Sequence, residues 1–179
     1  METKSQNMLK PALIYTAIVF GLGVLHTVIT DVAGFAVTNM KVNGIIGLVI
    51  MYGAVIYSMY GYRKEYCGNT ISYGKALGFG VLVTAMAALL GSLLSFYYVK
   101  YVSPELGEAA RILQEEAYIR RGFSADRIEQ ATRQAERFNT VFFSAFFGTI
   151  YLTFIGLIVS LIAAIFIKKG PKDPFEGVE

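Results

Sequence analysis

The side chain best suited to acid–base chemistry in this chain is its single histidine, His26. A histidine changes charge between about pH 5 and 8, so inside a membrane it can relay protons. Asp31 follows five residues later, but that spacing does not place two side chains on one helical face. No second histidine can complete a metal site. We therefore expect His26 to be a polar residue that lies at the membrane interface or is hydrogen-bonded to a neighbouring helix.

Lys75 lies in a glycine-rich segment, residues 74–80 (GKALGFG), which partly resembles a phosphate-binding loop. The segment lacks the serine or threonine that follows the lysine in such loops, and it lacks the earlier glycine at the required spacing. It also opens an apolar run, whereas a phosphate loop follows a buried strand. We therefore expect Lys75 to extend to the lipid headgroups and Ser72 to cap the helix that follows it.

Three polar residues predict a shallow ligand pocket at one end of the molecule. His26, Asn43 and Tyr97 are expected near the same ends of three apolar segments, which makes this region the candidate binding site. Helix capping and interfacial hydration are the alternative explanation for them. The sequence offers no catalytic, cofactor-binding or metal-ligating set, so we expect a non-enzymatic protein without a cofactor.

Four long apolar runs must position these residues. Residues 11–30, 42–62, 76–99 and 140–167 contain no Asp, Glu, Lys or Arg, and each reaches the ~20 residues that an α-helix needs to cross a membrane. Only 16% of all residues are charged, whereas soluble domains carry about 25%. The sequence predicts an all-α polytopic membrane protein whose single domain, residues 1–179, has four transmembrane helices. A net charge of +3 gives no indication of nucleic-acid binding.

The connection between the third and fourth spans predicts a helical hairpin outside the membrane, over residues 103–137. Ser103 is expected to cap its first helix, and Gly122 to end it. The second helix begins near Ser124, and no residue between Ser124 and Phe147 breaks it, so we expect one rod that continues into the fourth span. The first helix then packs against this rod. Two pairs spaced for ion pairing support the helices in water: Glu116 with Arg120, and Glu129 with Arg133.

Small residues at four-residue spacing predict close packing between spans, because they let helix backbones approach each other in lipid. The stripes are Gly80, Thr84, Ala88 and Ser92, with Ala87, Gly91 and Ser95 beside them, on the third span, and Gly148 or Gly156 with Ser160 and Ala164 on the fourth. Two interpretations remain open. The stripes join spans of one chain, or they bind a second copy or another protein, with membrane lipids as partners in either case.

Basic residues do not decide the orientation by number, because eight are expected on each side of the membrane. Their positions favour one solution. Arg63 with Lys64, and Lys168 with Lys169, directly follow helix ends, while most arginines of the hairpin alternate with acids. We therefore expect both termini in the cytoplasm.

Several segments together carry a family resemblance: residues 69–77 (NTISYGKAL), 103–105 (SPE), 122–129 (GFSADRIE) and 167–169 (IKK). They resemble domain-of-unknown-function family 4199 (DUF4199), small four-span proteins mostly of Bacteroidota. The resemblance covers nearly the whole chain. It implies the four-span architecture and a bacterial inner-membrane location, and it implies no substrate, cofactor or catalytic residue.

Two functional hypotheses follow from the sequence. The first is a structural or accessory membrane protein that binds a partner through the hairpin or the small-residue faces. The alternative is a small permeation or lipid-handling module that uses the pocket around His26, Asn43 and Tyr97.

Overall fold

The computed structural model describes residues 8–138 and 140–170, which form helices joined by short turns. The helices are α1 Leu9–Val32, α2 Phe35–Thr38, α3 Met40–Tyr66, α4 Tyr73–Tyr101, α5 Pro104–Arg120, α6 Ala125–Phe138 and α7 Val141–Ile167. Four of them, α1, α3, α4 and α7, are long and apolar enough to cross a membrane. The prediction of an all-α protein with four spans is confirmed.

Helices α3 and α4 each contact all three other spans, and α4 makes the more extensive contacts of the two. Its most extensive contact is with α7, while α1 and α3 pack against each other and against α4. The small-residue stripes explain the close α4–α7 approach. A Cβ on Gly80 would lie 2.6 Å from Ser160 Oγ, and one on Gly148 would lie 2.6 Å from Ser92 Oγ. The predicted stripe through Gly80, Thr84 and Ser92 therefore forms a seam with the small residues of α7 within one chain, whereas Gly91 of the neighbouring stripe faces open space.

A buried aromatic core lies at the end of the bundle where α1 begins and α7 ends. Tyr62 stacks on Phe79 with ring centroids 3.9 Å apart, and Tyr15 meets the same Phe79 edge-on. Arg63 Nη1 donates a 2.9 Å hydrogen bond to the carbonyl of Ile167, which ties the end of α3 to the end of α7. These contacts fix all four spans to one another at this end.

The predicted hairpin between the third and fourth spans forms as two helices, α5 and α6, separated by Gly122 at φ 79°. Glycine adopts this left-handed conformation without steric cost, so the predicted helix end is confirmed. Both predicted ion pairs are present, with Arg120 to Glu116 at 2.8 Å and Arg133 to Glu129 at 2.5 Å.

The predicted continuous rod from the hairpin into the fourth span is wrong. Thr140 has extended backbone angles, φ −115° and ψ 157°, and its hydroxyl accepts a 3.4 Å hydrogen bond from the Phe143 N–H. A threonine in this conformation is an N-cap, so α7 begins as a separate helix. The packing of the hairpin also differs from expectation, since α5 contacts α4 and the short α2 more extensively than it contacts α6.

Candidate functional site

A partly enclosed cavity of about 240 Å³ lies between α1, α3 and α4, and Leu106 of α5 closes it from the hairpin side. Each of the three spans contributes a glycine to the lining, Gly23, Gly47 and Gly91. A Cβ at Gly23 or Gly91 would meet no atom within 4 Å. The cavity exists because these glycines have no side chains to fill the space between the three helices. The rest of its wall is mostly apolar.

His26 supplies the principal polar atom of this cavity. Its ring lies against α3, since a Cβ on Gly47 would be 3.3 Å from His26 Cε1. Its Nε2 atom is buried and has no hydrogen-bond partner among the described residues. An unsatisfied buried polar group costs about 1–3 kcal/mol, so a bound group that hydrogen-bonds to this nitrogen would be stabilised.

Of the three residues predicted to share a pocket, only His26 lines this cavity. Asn43 lies one helical turn before Gly47 on α3, and its Oδ1 atom is also buried without a partner in the described part of the chain. Tyr97 is 49% exposed and stacks on Tyr101 at 6.1 Å, so the structure does not bring it to the cavity. Consecutive helical residues point about 100° apart, and Tyr98 takes the inward position instead.

Asp31, at the end of α1, joins three helices at the rim of the cavity. Tyr98 Oη donates to Asp31 Oδ2 at 2.7 Å, and Ser103 Oγ donates to Asp31 Oδ1 at 2.9 Å. Ser103 is only 4% exposed and occupies the N-cap position of α5, but its hydroxyl makes no capping bond. The predicted capping role of its side chain is therefore wrong. Its hydroxyl instead fixes α5 over the cavity.

The carboxylate–hydroxyl cluster of Asp31, Tyr98 and Ser103 was not predicted from the sequence. Its members lie 67 and 72 residues apart along the chain. The one available signal was a lone carboxylate at the end of an apolar run. Such a group is expected to find partners on a neighbouring helix.

An open groove of about 930 Å³ lies between α4, α5 and α7, on the other side of the small residues of α4. It shares Gly91, Ser95 and Val99 with the first cavity. Its rim carries Lys100, whose ammonium nitrogen lies 5.3 Å from the Tyr101 ring centroid, and Glu108. The groove therefore has a charged rim and continues towards the cavity over small side chains.

The charge at the hairpin rim is locally balanced. Arg111 pairs with Glu108 at 2.6 Å and also pairs with Glu115. The hydrogen bond from Arg111 lowers the pKa of Glu108 below its ordinary value. Among residues 8–138 and 140–170, no group of three His, Cys, Asp or Glu side chains lies close enough together to hold a metal ion.

The four spans and their extramembrane hairpin define a polytopic α-helical membrane protein. The family model described as "Protein of unknown function (DUF4199)" matches residues 12–169. Because this match covers most of the chain, the protein belongs to the DUF4199 family. Comparisons with curated proteins and with solved structures gave no match.

Proposed function

We propose that the protein is a non-enzymatic membrane protein that binds a small amphiphile, a lipid or lipid-like molecule, in the cavity between α1, α3 and α4. The observation that carries this proposal is a mostly apolar cavity with one buried, unpartnered nitrogen, His26 Nε2. Ligand sites are typically apolar with a few placed polar groups. A hydroxyl, carbonyl or carboxyl group of the ligand would hydrogen-bond to this nitrogen.

The position of the cavity supports an amphiphile from the membrane. Its volume of about 240 Å³ is slightly below the range of about 300–1,000 Å³ for sites that hold drug-sized ligands. The adjoining groove gives it a route to the surrounding membrane, since both share Gly91 and Ser95. Asp31 and Ser103 hold α5 at the hairpin side, which makes entry from the membrane the more direct path.

The experiment compares two variants of α4 by native mass spectrometry with lipid extraction, after purification in a mild detergent. Gly91→Leu places a side chain into open space that lines the cavity, while Gly78→Leu places one on an exposed position of the same helix away from it. We expect wild type and Gly78→Leu to retain a co-purified amphiphile that Gly91→Leu loses. Equal retention by all three proteins would exclude this cavity as the site.

A protein-binding accessory role is the second candidate, and the amphipathic helix α6 favours it. Among the described residues, α6 has no extensive contact with any spanning helix, although Ile128 and Ala131 form part of an apolar face. A partner would bind at this face, because the α4–α7 seam is already occupied within the chain. A photo-crosslinker at position 128 would capture a partner, or a second copy, that one at position 127 does not. Equal labelling from both positions would argue against this role.

We further propose that the protein lies in the bacterial inner membrane with both termini in the cytoplasm. Each end carries eight basic residues, and the support comes from their positions: Arg63 and Lys64 lie in the last turn of α3, and Lys168 and Lys169 directly follow α7. Cys67, the one cysteine of the chain, follows α3 at the end near the termini. A Thr70→Cys variant that also carries Cys67→Ser has an exposed thiol at this end in place of the half-buried one, and a membrane-impermeant thiol reagent should label it in inside-out vesicles and spare it in intact spheroplasts. A Ser124→Cys variant lacking Cys67 should give the reverse pattern, and the same pattern from both would contradict the orientation.

A further inference from the structure

A second open cavity, of about 490 Å³, lies at the opposite end of the bundle, between the loop before α4 and the residues after α7. It is lined by three lysines, Lys75 from the first turn of α4 and Lys168 and Lys169 from the end of α7. An antiparallel bridge brings these segments together. Ile71 N–H donates to the Lys169 carbonyl at 2.9 Å, and Lys169 N–H donates to the Ile71 carbonyl at 3.0 Å.

The bridge is anchored in the core, so the lysines are held near each other by a fixed backbone. Ile71 is only 4% exposed and belongs to the same buried cluster as Phe79 and Ile167. Lys75 is further restrained, because its ammonium nitrogen lies 5.7 Å from the ring centroid of Tyr62. The three positive charges therefore stand around one opening and do not belong to a free tail.

Among the described residues, no carboxylate balances these charges. Within the described residues none of the three lysines forms a salt bridge, and no Asp or Glu lines the cavity. Glu65, an acid at this end of the bundle, accepts a hydrogen bond from Tyr15 Oη at 3.1 Å. Like charges gathered in one place repel each other, and an anion among them relieves that repulsion.

The remaining lining suits a phosphate attached to a lipid. Ser72 Oγ accepts from the Lys75 N–H at 3.4 Å, which leaves its own hydroxyl hydrogen to donate to a ligand. The positive end of the α4 dipole points towards the same opening. Tyr73 extends along the last span, where its hydroxyl donates to the Leu161 carbonyl at 3.3 Å. The opening thus has a cationic part and an aromatic wall that continues along a transmembrane helix.

We propose that this cavity binds the phosphate of an anionic phospholipid from the surrounding membrane, with Lys75, Lys168 and Lys169 neutralising its charge. A lipid is the source because the site lies where two spanning helices, α4 and α7, reach the membrane surface. Basic pockets between spanning helices are known binding sites for anionic headgroups. This site is separate from the His26 cavity and does not depend on the function proposed for it.

The test is a titration of the full chain with phosphatidylglycerol and with phosphatidylcholine, followed by native mass spectrometry. The variant replaces Lys75, Lys168 and Lys169 with Gln. The control makes the same change in net charge at the hairpin end, through exposed residues that form no salt bridge in the described part of the chain. Its substitutions are Lys41→Gln, Arg121→Gln and Arg127→Gln.

Wild type and the control should prefer phosphatidylglycerol, and the lysine variant should bind it on the order of a hundredfold more weakly. Equal losses in both variants would overturn the proposal in favour of a general charge effect. Displacement of the lipid by a similar concentration of inorganic phosphate would overturn the assignment to a lipid. Should the triple variant fail to fold, the single substitution Lys169→Gln replaces it, because it keeps the backbone bridge. This variant should show a smaller loss of affinity for phosphatidylglycerol. Wild-type affinity in this variant would count against the site.

Discussion

The substitution Gly156→Ala tests the intramolecular α4–α7 seam most sharply. A Cβ at this position would lie 2.9 Å from both Cβ and Oγ1 of Thr84. Thr84 is fully buried, and its hydroxyl donates to the Gly80 carbonyl at 2.8 Å, so its side chain cannot turn aside without losing that bond. The helices must therefore move apart.

Gly156→Ala should lower the free energy of unfolding through overpacking, and a matched substitution on the same helix pair isolates this effect. Forcing a methyl group into a closely packed contact costs about 1–3 kcal/mol. Gly78→Ala provides the control, because its Cβ would meet no atom within 4 Å, and alanine gains about 1 kcal/mol of helix propensity over glycine. Both variants gain this propensity, so the difference between them is the overpacking cost alone, about 1–3 kcal/mol. In a chain of this size it corresponds to roughly 6 °C in unfolding temperature.

The chain carries a suitable reporter for this measurement. Cys67 is its one cysteine, is half-buried and packs against the core cluster, so a thiol-reactive dye should label it on unfolding. Heating each variant in detergent with such a dye gives the unfolding temperature. Equal unfolding temperatures for Gly156→Ala and Gly78→Ala would refute the tight seam. Adding Thr84→Ala to Gly156→Ala should recover part of the loss.

Three further predictions concern the hairpin end. Tyr98→Phe should lower the unfolding temperature while Tyr97→Phe leaves it unchanged, because only Tyr98 donates to Asp31; equal effects would contradict the assigned inward face. Asp31→Ala removes the acceptor of two hydroxyl groups and should lower the stability of the fold by about 2 kcal/mol. This loss should appear as faster amide hydrogen exchange at the start of α5, and unchanged exchange would argue against the anchoring role of Asp31. Glu108 has a lowered pKa in the folded chain, so its pairing with Arg111 stabilises α5 above the ordinary glutamate pKa of 4.5, and this contribution is lost as the pH falls through the lowered value. Hydrogen exchange of α5, corrected for intrinsic rate, should show this loss in wild type and not in Glu108→Gln.

Most of the architecture could be predicted because it depends on local chemistry. Apolar runs of spanning length identify the four transmembrane helices, and Gly122 ends α5 through its own backbone freedom. Ser72 caps α4 as expected, since a serine hydroxyl reaches the backbone N–H three residues later. Thr140 shows the limit of such local reasoning. A threonine is compatible with a helix interior as well as with an N-cap, and the structure uses it as a cap.

The candidate site was less predictable because its residues face each other across distant helices. The apolar runs contain no charged face, and the lipid and the bundle interior are both apolar, so hydropathy does not tell Tyr97 from Tyr98. The glycines of the cavity were also ambiguous. Gly91 belongs to a small-residue stripe that predicts close packing, yet the structure leaves open space around it. Only the three-dimensional arrangement shows which glycines mark a seam and which mark a cavity.

The most direct test of the amphiphile-binding cavity uses the single histidine as a spectroscopic reporter. Protein labelled with ¹⁵N-histidine and purified through a tag without histidine gives signals from His26 alone. After delipidation, adding back the extracted lipid should shift the Nε2 resonance in wild type and in Gly78→Leu, and should leave it unchanged in Gly91→Leu. A wild-type Nε2 resonance that does not respond to delipidation and lipid addition would contradict a ligand at His26.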